Sequence, residues 1–225
     1  MLPRFVLFLL RPFAKPLRYG LLKLMKRRRL PRDHRPVIAA SEHLLNEFML
    51  PSVWKLFRDQ KFRTVAGFRA LPVAEHDRIW NELIVANISM IVLTLDAASS
   101  AVPPEDLHFW QEVQGHIPKQ FQRELVRVGV SGENAKTMRQ LIAMRDAEYA
   151  DLARALKKTG EFRDEMSHDF PNEMRDFVAD IHSVSICTAN HITRGKLKAG
   201  DPLIRVLRWW LLNLHGRVST FVVRL

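Results

Sequence analysis

Cysteine is almost missing from this chain. Cys187 stands alone among 225 residues, so no intrachain disulfide can form, and no small-residue cleavage site of the secretory kind follows the first apolar residues; a reducing compartment is expected. Long apolar runs are missing near the start as well. The run at 5–10 is bounded by Arg4 and by Arg11-Pro12, whereas a spanning helix needs about 20 apolar residues. Glycine is sparse at nine residues, and none are gathered into a phosphate-cradling loop, which removes P-loop and dinucleotide-binding chemistry. No segment alternates with period two between hairpin turns, so a sheet is not expected.

The two ends also lack acid. Residues 1–36 hold eleven Lys/Arg against Asp33, a net +10, and residues 194–225 hold seven against Asp201, a net +6. The whole chain carries +11, which leaves the middle acidic at −5. Basic ends on an acidic middle predict that the ends meet a polyanion, either anionic lipid or nucleic acid.

What is present is helical periodicity. The apolar fraction of 47% and the charged fraction of 26% are those of a globular protein, and the pattern predicts an all-α bundle of about six helices with basic amphipathic helices at both termini. Within the middle, the first helix is expected over 38–50, ending near Pro51, and the second over 52–70, broken at Gly67 and closed by Pro72. The third starts near Ala74 and carries LIVANISMIVLTL at 83–95, apolar on nearly every face and too short to span, hence a buried central helix. A fourth starts at Pro104 and runs to about Val128 with a bend over 115–118. Ser131 N-caps a long fifth helix to Lys158, with Gly160 suited to its end, and Pro171 opens the sixth. Gly200-Asp201-Pro202 marks a boundary, giving segments 1–36, 37–200 and 201–225.

The terminal segments carry the binding expectation. Phe5 and Phe8 form a greasy tip. Leu17, Leu21 and Leu24 line one side of a helix whose collar is Lys26, Arg27, Arg28 and Arg29. Near the other end, Leu203, Val206, Leu207, Trp210, Leu211 and Leu214 recur at helical spacing, Arg205 and Arg208 lie opposite, and Trp209 sits at the edge, where an indole can meet lipid headgroups. Leu212 interrupts the polar face. The alternative is that this helix packs on the bundle and closes its last groove.

The chemistry-bearing residues are thinly spread. Glu105/His108 and Glu165/His168 have the Glu-x-x-His spacing of a di-iron carboxylate bundle, but both pairs fall at helix starts or connections instead of mid-helix. Cys187 and His191 share a helical face as a thiol–imidazole pair or half a zinc site, while His182 points away. A buried cysteine beside a hydrogen-bonded histidine is the plainer reading. No catalytic residue, metal or cofactor is assigned.

The functional expectation is a non-enzymatic peripheral membrane protein, an accessory, scaffold or assembly factor at the cytoplasmic face of a membrane. Its partners would be an anionic membrane surface and a protein of that membrane. RNA binding through the basic N-terminal arm is the alternative; the aromatics precede the basic run instead of interleaving with it, which disfavours a single-strand groove. A metal-dependent helical-bundle enzyme is a further alternative. An arginine-rich, acid-poor start also suits a mitochondrial matrix presequence, although prolines at 3, 12 and 16 and the absence of serine before Ser41 weaken that reading.

Overall fold

A computed structural model describes residues 35–98, 104–159, 172–198 and 200–223. Among these residues the chain is helical and contains no strand. Its elements are α1 (Arg35–His43), a π-helical segment (Leu44–Met49), α2 (Leu50–Arg58), α3 (Gln60–Val65), a 3₁₀ turn (Phe68–Ala70), α4 (Val73–Ala98), α5 (Pro104–Arg127), α6 (Gly132–Thr159), α7 (Asn172–Thr193) and α8 (Pro202–Val223).

Pro51 does not end the first helix, contrary to expectation. His43, Met49 and Leu50 all keep right-handed helical angles, so the rod continues through the proline. The physical reason lies in the π-helical turn. Proline has no N–H to give to the Glu47 carbonyl, and the Leu50 N–H bonds Leu45, one residue further back than in an α-helix. The Glu47 carbonyl is served instead by Arg217 of α8 at 3.2 Å. The break comes at Asp59, whose backbone turns extended and whose carboxylate accepts the Phe62 N–H at 2.8 Å, an N-cap for α3.

Aromatic side chains lock this corner to α4. Phe57 meets Trp80 and Phe68 edge-on at 5.1 and 5.3 Å, Phe62 meets Phe68 at 5.7 Å, and His76 stacks on Phe68 at 4.6 Å while its Nε2 bonds the Phe68 carbonyl at 3.0 Å.

The apolar helix is central, as its composition requires. Every residue from 79 to 91 is buried, and α4 packs against α2, the π-helical segment, α5, α6, α7 and α8. Around it the neighbours form a closed ring: α1 on α5, α5 on α6, α6 on α7, α7 on α8, and α8 back on the π-helical segment and α3. The helix has the length and composition to cross a bilayer, but most of its apolar window is enclosed by the bundle.

The other ends follow local chemistry. α5 runs through Pro118 to Arg127, where Gly129, at φ +95°, lets the Val130 N–H reach back to Leu125 at 2.9 Å. Ser131 caps α6 as expected, its hydroxyl accepting the Asn134 N–H at 3.3 Å. Asp201 caps α8 through the Leu203 N–H at 2.8 Å. The turn at Gly200 coincides with the expected boundary, yet the apolar core is continuous across it: Leu203, Leu207, Leu211, Leu214, Val218 and Val222 belong to the same buried cluster as α4.

Candidate functional site

Three places combine polar chemistry with position: a charged cluster between α4, α6 and α7, a cavity beside it, and the outer surface of α2, α3 and α8.

The cluster begins with Glu82, a buried acid in the most apolar helix. Burial of a lone carboxylate is costly, and α6 answers with Arg145, which grips both oxygens at 3.0 and 3.2 Å. Arg145 also reaches Glu148, one turn on, at 3.3 Å. Glu148 in turn takes His191 of α7 at 2.8 and 2.9 Å, and its charge adjoins the Cys187 thiol. The paired face expected for Cys187 and His191 therefore exists, with Glu148 as its meeting point. Burial, reinforced by the adjacent Glu148 charge, pushes the thiol up to about 12, so the sulfur stays protonated at neutral pH and is no nucleophile. The cluster closes on itself and ties three helices together.

Two turns along α4 from Glu82, Ser89 faces a cavity of about 260 Å³ between α4, α6 and α7. Ser89 donates towards the Val85 carbonyl at 3.0 Å and contacts the Asp146 carboxyl. Burial holds the Asp146 carboxyl above the usual carboxylate range, against the smaller opposing effect of the serine bond. Ser183 bonds the Tyr149 carbonyl, and the Tyr149 hydroxyl lies 3.4 Å from Thr188. Ser183 and Thr188 thus act as polar links between helices. Asn87, by contrast, is fully buried, and among the described residues its side-chain nitrogen and oxygen have no hydrogen-bond partner.

The outer surface holds the expected C-terminal binding residues. The stripe assigned to lipid is turned inward: Leu203, Leu207, Leu211 and Leu214 are buried, and Val206 and Leu212 pack against the core. Trp210 turns towards the protein as well. It is half-buried, and its indole N–H donates to the Ser52 hydroxyl at 2.7 Å, because α2 lies alongside and offers an acceptor. Leu212 thereby loses its anomaly, since the buried arc of α8 is wider than a surface helix needs. Arg208 is half-buried and lies 3.4 Å from His182 of α7. Arg205 is exposed, and Trp209 is 67% exposed, the most exposed large apolar side chain among the described residues. Phe5, Phe8, Leu17, Leu21, Leu24, Lys26, Arg27, Arg28 and Arg29 lie outside the described residues.

Sequence reasoning missed the rest of this surface. α2 carries Lys55 and Arg58, α3 carries Lys61 and Arg63, and α8 carries Arg205, Arg208 and Arg217, with no acid inside any of the three helices. Packing of α8 on α3 and the Trp210–Ser52 bond set them side by side. The guanidinium of Arg58 lies 5.2 Å over Trp54 and that of Arg217 lies 5.2 Å over Phe48.

Of the four Glu-x-x-His residues, only His108 has a described side chain. His108 is exposed and lies 3.4 Å from Glu112, Glu165 and His168 lie outside the described residues, and among the described residues no three His, Cys, Asp or Glu side chains converge. Comparison of the chain with protein-family models, with curated proteins and with solved structures finds no match.

Proposed function

We propose that this protein is a peripheral membrane protein of the accessory or scaffold kind, and that the outer surface of α2, α3 and α8 meets anionic lipid together with the basic segment 1–36. The observation that carries this reading is seven Lys/Arg and no acid in those three helices, with the Trp209 indole exposed among them. Cations draw the surface to anionic headgroups, and an exposed indole adds interfacial contact. Two basic attachments on one chain strengthen each other through effective concentration. The self-contained Glu82–Arg145–Glu148–His191 cluster and the protonated Cys187 favour a binding role over catalysis.

Co-sedimentation of the full chain with vesicles of graded phosphatidylserine content tests this. A basic side chain at such a surface is worth about 1 kcal/mol, roughly fivefold in affinity. The triple variant Lys55→Glu, Lys61→Glu, Arg205→Glu should therefore lose at least a hundredfold on anionic vesicles, and Trp209→Ala should weaken binding without changing its salt dependence. Equal binding to neutral vesicles, or no binding at all, would overturn the proposal; salt-sensitive RNA retention in its place would transfer these cations to a nucleic acid.

A further inference from the structure

The cavity between α4, α6 and α7 is walled on the carbon side by Val92, Leu93, Ala150 and Ala153, while Asp146 and Ser89 supply its polar corner. Its charges do not balance. Lys157 pairs with Asp180 at 2.9 Å and Arg154 pairs with Asp151, so both rim cations are engaged. Asp146, among the described residues, has a neutral hydroxyl as its polar partner and no cation.

The Ser89 hydroxyl has one hydrogen and two acceptors within reach, the Val85 carbonyl and the Asp146 carboxyl. With Asp146 protonated, its O–H donates to Ser89 and Ser89 donates to Val85, so every group is served. With Asp146 ionised, the serine must abandon one acceptor, and a carboxylate is left short of donors in a largely apolar hollow.

We propose that this cavity is a binding site for a primary aliphatic ammonium ligand, its head on the Asp146 carboxylate and the Ser89 oxygen and its short carbon body against Val92, Leu93, Ala150 and Ala153. An ammonium brings three hydrogens and one positive charge, the two things the corner lacks. A metal ion is a poor fit, because a single carboxylate and a hydroxyl do not make a coordination sphere. A quaternary ammonium is also a poor fit, since among the described residues Tyr149 is the one aromatic on the lining.

Burial raises the Asp146 carboxyl, so an ammonium placed on it should drive a proton off it. The charged groups around the cavity are Arg154 and Lys157 from the same helix as Asp146 and Asp180 from α7; α4 presents only Ser89 as a polar group.

The test is isothermal titration of the full chain with n-butylammonium chloride and, in parallel, n-butanol. Butylammonium should bind one to one and at least tenfold more tightly than butanol, with a heat at mildly acidic pH that depends on the buffer's ionisation enthalpy through the released proton. Asp146→Asn should weaken butylammonium at least tenfold and abolish the buffer dependence. Ala150→Leu, at an exposed backbone position on the rim, should block both probes while leaving the carboxyl in place; circular dichroism verifies that both variants fold. Equal affinity for the two probes, unchanged binding by Asp146→Asn, or no binding of butylammonium at tens of millimolar would overturn the assignment. Vesicle binding is a separate measurement, so either proposal can fail alone.

Discussion

Asp146 couples folding to pH at the level of one residue. Its carboxyl titrates higher in the fold than in the unfolded chain, where aspartate sits near about 3.9. The folded state therefore holds the proton longer, and its contribution to stability falls as pH rises from the unfolded value through the raised one. Glu42 moves in the same direction through burial and the nearby Glu124 charge, so the useful comparison is between variant and parent. Asp146→Asn keeps the shape and can still donate to Ser89. Urea denaturation from pH 4 to 8 should show a shallower decline for the variant, with stability at neutral pH equal to the parent's or higher by about 1 kcal/mol. A slope identical to the parent's would mean that Asp146 ionises in the fold as it does in water. The sequence offered little warning of this residue: Asp146 looks like any polar position on a long mixed helix, and only the serine opposite it on α4 marks it out. Glu82 was passed over too, although an acid between Trp80 and Leu83, next to the most apolar stretch of the chain, is a signal that could have found it.

Among the elements, Arg145 is the fastener. It joins α4 to α6 through Glu82, and Glu148 extends the link to α7 through His191. Arg145→Ala would leave Glu82, 6% exposed, without its cation, at a cost of about 3–5 kcal/mol in denaturant unfolding. Replacing both partners by apolar residues, Glu82→Leu with Arg145→Met, should recover most of that loss, since the desolvation of two charges disappears with them. Element types were readable because burial imposes its period on the sequence; α4, α6 and the cap at Ser131 fall where the pattern puts them. Pro51 was not readable, since a proline's effect on a helix depends on whether a π-turn absorbs the missing bond and whether a distant arginine, here Arg217, serves the freed carbonyl. The face of α8 was misjudged for a related reason. A helical wheel reports that one side is apolar but not whether lipid or protein covers it, and α4 is what lies there.

For the molecule as a whole, that placement makes α8 part of the core and not an appendage. A chain ending at residue 200 should lose the cooperative thermal transition and bind a hydrophobic dye, because the α4 surface under Leu207, Leu211 and Leu214 would be bare. An unchanged melt would mean that the bundle stands without its last helix. The charge division read from the ends of the sequence is extended by the fold, which adds the Lys55, Arg58 and Lys61 side chains to the C-terminal cations. Spatial neighbours of that kind, more than a hundred residues apart in the chain, are invisible to a count taken along the sequence.

The central position of α4 also has a consequence for synthesis. The helix is complete at Ala98, but α8, the last member of the ring around it, is complete only at Val223. At ~5–20 residues per second a ribosome needs about 6–25 s to deliver the intervening stretch. Through that interval a helix long and greasy enough for a bilayer is without its full cover, so the nascent chain is expected to depend on a chaperone, or on early docking of α5 and α6, to stay out of aggregates.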